Sequence, residues 1–152
     1  MSSTVWPNRS AIEYKNSIIT GQLIYISDFN LNKVVGHQNK HRPGTQTYQQ
    51  YEAKLKEGEH ISEIILTDDE ILELIKRYAQ TGTNIYDRKG NWTNKEKILD
   101  SDTTVGYVFR GDTKLATKSF MIVYAKKGIH IWPLDREGKN KWNQKSSKKT
   151  TG

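Results

Sequence analysis

Apolar residues recur along the chain at two spacings, and each spacing predicts a different element. Between Thr67 and Gly82, the residues Ile71, Leu72, Leu74, Ile75 and Tyr78 fall at helical intervals and predict one amphipathic helix. Thr67 stands at the cap, and Asp68, Asp69 and Glu70 fill the first turn, where the helix dipole favours anions. Lys76 and Arg77 occupy the last turn and Gly82 ends the segment. A shorter helix is predicted from about Thr47 to Glu57. Thr47 and Gln50 would form its capping box, Tyr48, Tyr51 and Leu55 its stripe, and Gly58 its end.

Further along, the spacing becomes two. Val105, Tyr107 and Phe109 alternate and run into the turn Arg110-Gly111-Asp112. Phe120, Ile122 and Tyr124 alternate with Met121, Val123 and Ala125, the pattern of a central strand buried on both faces. After the turn Lys126-Lys127-Gly128, a third strand carries Ile129, Ile131 and Leu134 and is stopped by Pro133. Near the start, Ile18, Ile19, Leu23, Ile24 and Ile26 around Gly21 predict a kinked strand or small hairpin. The polar stretch Asp28 to Pro43 predicts a long irregular segment, the kind of loop that often carries function.

Helices first, then an antiparallel meander, define an α+β fold with two or more helices packed on one face of a short antiparallel sheet. The expected organisation is a flexible N-terminus over 1–15, one domain over 16–135, and a disordered lysine-rich tail over 136–152.

Composition then removes whole classes of function. A chain of 152 residues without cysteine suits one domain and excludes a disulfide scaffold or a Cys-ligated metal site. No apolar run approaches the ~20 residues of a membrane span, so no membrane partner is expected. The opening Met-Ser-Ser-Thr-Val-Trp-Pro has no basic region followed by an apolar stretch, so no Sec signal is expected either. The net charge is +7, and the segment from Lys126 onward, with eight basic residues against Asp135 and Glu137, holds +6 of it. Such a segment is either a solvated lysine face or a surface for a polyanion. The four histidines, His37, His41, His60 and His130, show no metal-ligand spacing, and no P-loop, Rossmann or Gly-x-Ser-x-Gly pattern is present. Neither a metal nor a cofactor is expected.

Two places retain chemical interest. In Lys40-His41-Arg42-Pro43-Gly44-Thr45, a histidine able to move protons near neutral pH sits between two cations that attract phosphate. On the last predicted strand, His130 lies on the face opposite Ile129 and Ile131, next to the Lys126-Lys127 turn. Lys118 and Tyr124 join it if the register allows. Such a face suits cleavage of an RNA backbone: a base takes the 2′-OH proton, an acid protonates the leaving 5′-oxygen, and cations or hydroxyls stabilise the phosphorane.

Three strings carry a family resemblance. Gly36-His37-Gln38-Asn39-Lys40-His41-Arg42-Pro43-Gly44-Thr45-Gln46-Thr47-Tyr48 resembles the Gln-x-Lys-His-x-x-Gly-Thr-x-x-Tyr signature of the polymorphic toxin type 50 family. Tyr78-Ala79-Gln80-Thr81-Gly82-Thr83, followed by Asn91-Trp92-Thr93-Asn94-Lys95-Glu96, is similar to its middle portion. Ser119 to Pro133, with Tyr124, Lys126-Lys127-Gly128 and His130, resembles its ending. The likeness runs in order from about Val34 to Leu134.

The resemblance implies a ribonuclease toxin of the barnase–EndoU–colicin–RelE superfamily, found in delivered bacterial toxins and in phage head-morphogenesis proteins. It implies a metal-independent endoribonuclease that leaves a 2′,3′-cyclic phosphate. His41 and His130 would be the acid–base pair in either order, Lys40 the phosphate contact, and Ser119 and Tyr124 its positioning groups. Arg42, Lys118, Lys126 and Lys127 would bind RNA. Ala125 departs from the family's usual small hydroxyl, and Arg42 replaces its usual isoleucine. The implied partners are an RNA substrate, a cognate immunity protein and, in the phage setting, head or portal proteins. The implied origin is bacterial or phage, with action in the cytoplasm of a target cell. The alternative is a non-catalytic phage virion-associated or nucleic-acid-binding module.

Overall fold

The computed structural model describes residues 26–136. The predicted hairpin before Ile26, the N-terminus and the lysine-rich tail beyond Arg136 lie outside the described residues. Two helices, α1 (Gln46–Glu52) and α2 (Asp68–Tyr78), are interleaved with seven strands. The strands are β1 (Glu63–Ile64), β2 (Thr83–Tyr86), β3 (Trp92–Ile98), β4 (Gly106–Arg110), β5 (Thr113–Thr117), β6 (Phe120–Ala125) and β7 (Gly128–Pro133). They form two antiparallel sheets, one ordered β2-β3-β6-β7 and the other β1-β4-β5. The fold is α+β.

Helix α2 follows its sequence closely. The Thr67 hydroxyl accepts from the Glu70 N–H and the Glu70 carboxylate accepts from the Thr67 N–H, a complete capping box. Its buried residues Ile71, Leu74 and Ile75 share one apolar cluster with Ile98 of β3, Phe120 and Ile122 of β6, and Ile129 and Ile131 of β7. Ile64, Leu66 and Val105 belong to the same cluster, so both sheets contribute to a single core. The helix ends at Tyr78, earlier than Gly82, because Gln80 turns to a positive φ of 63°.

Three expectations change. The first helix is capped by Thr45 rather than Thr47: the Thr45 hydroxyl accepts from the Tyr48 N–H, and the helix stops at Glu52. It lies beside the 36–41 turn rather than with α2 on the apolar face of the four-stranded sheet, and Tyr51 on it meets His37 of that turn. Finally, the single meander is two sheets. β4 pairs with β5 and β1, whereas β6 lies between β3 and β7. In β4 the buried residues are Gly106 and Val108, with Tyr107 and Phe109 half-buried, so the inward face is the reverse of the one that their apolar alternation predicts. Strands β2, β3 and β5 are rich in Thr, Asn and Lys, which hides their period of two.

The central position of β6 and the Lys126-Lys127 hairpin follow the expected pattern. The 28–43 segment is irregular as expected but ordered by hydrogen bonds, with a 3-10 turn over Gly36–His41.

Candidate active site

Strand β7 projects two aromatic side chains away from the core. Ile129, Ile131 and Pro133 point inward, so His130 and Trp132 emerge together on the opposite face. The register extends that row across the sheet. His130 pairs with Val123 of β6, and Val123 pairs with Lys95 of β3, which places Lys95 on the same face.

A second set of groups arrives from the 33–41 segment, which covers the outer edge of β7. The Ile129 N–H donates to the Lys33 carbonyl (2.8 Å) and the Val35 N–H donates to the Ile129 carbonyl (2.9 Å). Past that point the amide of Gln38 takes over. Its Nε2 donates to the Ile131 carbonyl (2.7 Å), and its Oε1 accepts from the Ile131 N–H (2.7 Å). A fully buried side-chain amide thus stands in for the next peptide unit of a strand.

This clasp brings His37, Lys40 and His41 over β7. The rings of His37 and His130 meet edge to face at 5.1 Å. The His41 ring stacks on Trp132 at 6.1 Å with a 29° tilt, and His130 lies 6.2 Å from the same indole. Lys40 Nζ stands 4.5 Å from the centre of the Tyr51 ring, and Lys95 Nζ stands 5.3 Å from the centre of Trp132. His41 Nδ1 lies 3.0 Å from the Ser62 carbonyl and 3.2 Å from its hydroxyl. A carbonyl can only accept, so Nδ1 carries the proton and the lone pair of the neutral ring is on Nε2.

Burial pushes His41 down to about 4, against the opposing pull of the Ser62 carbonyl and with help from Lys40 and His37. Burial is also the main cause that lowers His130 to about 4, followed by electrostatic repulsion from His37, His41, Lys40 and Lys95. Both rings are therefore neutral at pH 7 in the free protein. At pH 7 the cations acting on His130 are Lys40 and Lys95, whose charge a bound anion would offset.

The other residues expected at the site lie elsewhere. Tyr124 pairs with Ile129, which puts it on the core face. Its hydroxyl donates to the buried Glu96 carboxylate at 2.6 Å, and burial together with that carboxylate pushes its phenol well above the ordinary value. Ser119 is buried, and its Oγ accepts from the Asp100 N–H at 2.9 Å. Arg42 turns toward α2, ion-paired with Asp68 at 2.7 Å and donating to the Leu66 carbonyl at 3.1 Å. It anchors the turn that holds His41 rather than joining the imidazoles. Lys118 lines a cleft with Arg110, Asp135 and Arg136, and five extended residues, ~17 Å, separate it from Val123 beside His130. Lys126 and Lys127 are exposed in the β6–β7 turn, on the strand end nearer His130.

Of the residues expected to carry the chemistry, the fold brings Lys40, His41 and His130 together. It adds His37, Lys95, Trp132 and Ser62, which the sequence reading did not assign. His37, Lys95 and Trp132 lie inside the motif strings, whereas Ser62 lies outside them. Among the described residues, no group of three or more His, Cys, Asp or Glu side chains could hold a metal ion. No helix among them is long and apolar enough to cross a membrane.

The arrangement defines a class: a small α+β domain with imidazoles and lysines gathered on the sheet face away from its helix-covered core. A family model described as bacterial toxin 50 matches residues 34–133, from the segment paired with β7 to the end of β7 itself. The chain belongs to the bacterial toxin 50 family. No curated protein and no solved structure matches it.

Proposed function

We propose that this toxin is a metal-independent endoribonuclease. The observation that carries the proposal is the cluster itself, in which two depressed imidazoles are surrounded by His37, Lys40 and Lys95 on one sheet face. His41 is suited to be the base. Its Nδ1–H is fixed by the Ser62 carbonyl, which leaves Nε2 to take the 2′-OH proton. The 2′-oxygen then attacks phosphorus, the bond to the 5′-oxygen breaks, and protonated His130 supplies the proton to that oxygen. The products are a 2′,3′-cyclic phosphate and a 5′-hydroxyl. The anionic phosphate favours protonation of His130 in the complex, opposing the burial that keeps the ring neutral in the free protein. Lys40 lies within reach to balance the phosphorane charge.

In this reading the protein acts inside a target cell, and an acidic immunity protein covers the cationic face in the producer. The test is incubation of the purified protein with total RNA in EDTA beside His41→Ala and His130→Ala. Cleavage that leaves cyclic phosphate ends and falls by ~100-fold or more in each variant is the expected result. Intact RNA at micromolar protein would sink the reading and favour a non-catalytic binding module.

A further inference from the structure

The string Asn91-Trp92-Thr93-Asn94-Lys95-Glu96 has no role in the proton transfers, yet the fold spends unusual local structure on it. Strand β3 pairs with β2 as Ile85 with Lys95, then Tyr86 with Trp92, so Thr93 and Asn94 are extra residues in a bulge. Asn94 has a φ of 65°, a region that side-chain-bearing residues rarely occupy and that Asn tolerates best. Side chains hold the bulge closed. The Trp92 indole N–H donates to the Lys95 carbonyl (3.0 Å), and the Thr93 hydroxyl donates to the Ile85 carbonyl (2.7 Å). Trp92 is itself packed between Phe29 (5.8 Å) and Tyr124 (5.4 Å).

A bulge re-aims the side chain that follows it. Here that side chain is Lys95, on the sheet face that carries His130, two strand spacings away or ~10 Å between backbones. Its ammonium leans over Trp132, the indole that both His41 and His130 border. Lys40 reaches the same imidazoles from the loop side, so the two ammonium groups approach from different elements.

We propose that Lys95 is a phosphate-binding catalytic residue of this site, positioned by the Trp92–Asn94 bulge to hold a non-bridging oxygen of the scissile phosphodiester. The assignment rests on the ribonuclease reading for its catalytic part, and the anion contact can be tested without it. Lys95 forms no covalent bond to substrate. It meets the charge that grows on the phosphorane as the 2′-oxygen attacks, while the protons travel through the histidines.

The experiment compares wild type, Lys95→Met and Lys95→Arg. Lys95→Met keeps an unbranched stem to cover Trp132 and removes the charge, while Lys95→Arg keeps the charge. Inorganic phosphate binding is followed by the imidazole NMR signals of His130, and RNA cleavage gives kcat and KM separately. Lys95→Met is expected to weaken phosphate about 10-fold and lower kcat about 100-fold, the scale of a lost electrostatic donor. Lys95→Arg should recover most of both. Phosphate binding and kcat within about threefold of wild type in Lys95→Met would overturn the proposal, as would a wild type whose His130 signals ignore phosphate. Wild-type protein that binds phosphate through Lys95 but leaves RNA intact would overturn the ribonuclease reading and keep the anion site.

Discussion

His41 and His130 combine two properties that proteins usually keep apart: they are largely buried, and they stand among cations. The consequence for stability has a definite sign. Each has a folded pKa of about 4 against an ordinary 6.5, so between those values the unfolded chain binds more protons than the folded one. Stability is therefore complete above about pH 6.5 and is lost progressively as pH falls toward 4. Thermal midpoints measured at pH 7.5 and 4.5 should show a drop that His130→Asn makes smaller. An equal drop in that variant would mean that other groups carry the acid sensitivity.

At this scale chemistry and motif together singled out Lys40, His41 and His130, three residues that the fold brings close to one another. The sequence was not legible at Tyr124. In Phe-Met-Ile-Val-Tyr-Ala both faces are apolar, so nothing in the string says which face the phenol takes. The register of β6 against β7 decides it, and the phenol goes to Glu96.

Gln38 shows how an element can be completed by a side chain. Strand β7 is the last strand of its sheet, and beyond Ile129 its edge is satisfied by one amide rather than by a neighbouring backbone. Gln38→Leu would leave the Ile131 N–H and carbonyl buried without that partner, at a cost of ~1–3 kcal/mol for each orphaned group. It would also release the turn that carries His37, Lys40 and His41. Urea denaturation should show the stability loss, and cleavage assays a fall in activity larger than the unfolded fraction explains. A variant as stable and as active as wild type would show that the clasp is dispensable.

Element recognition from sequence succeeded where pattern and capping agreed. Helix α2 has its stripe, its Thr67 cap and its terminal charges in register, and the fold completes the cap into a box with Glu70. Strand β3 is the opposite case. Its outward residues Lys95 and Lys97 are cationic, and its inward Glu96 is a fully buried carboxylate. Buried, Glu96 accepts hydrogen bonds from the Gln80 and Gly82 N–H groups at 2.8 and 2.7 Å and from Tyr124. Alternation was present, but charge stood on both sides of it. Gly82 belongs to the same arrangement: a Cβ there would stand 2.2 Å from the Lys97 carbonyl oxygen.

Taken whole, the molecule separates its faces by function. One side of the four-stranded sheet packs on α2, and the other gathers imidazoles and ammonium groups. The net charge of +7 alone says only that a polyanion is attracted. On the proposed reading, the cations that meet the scissile phosphate are Lys40 and Lys95 beside the histidines. For single-stranded RNA each neutralised phosphate contributes a slope of ~0.7 in log affinity against log salt. Lys95→Met should therefore flatten the salt dependence of RNA binding by ~0.7, measured between 50 and 200 mM salt. An unchanged slope would place Lys95 away from the phosphate backbone.

The α+β class could be read from element order, but the division into two sheets could not. That division depends on β2, β3 and β5, whose polar composition resembles loops.

Lys95 and Glu96 are adjacent, and they serve opposite sides of one strand. Loss of a single residue from the 92–94 bulge that shifted the downstream pairing by one would exchange their sides. The carboxylate would swing out among the histidines, and the ammonium would be driven into the apolar interior. Toxicity and folding would then fail in the same event. A slip of this strand is therefore no route to a folded protein that has merely lost its cationic face.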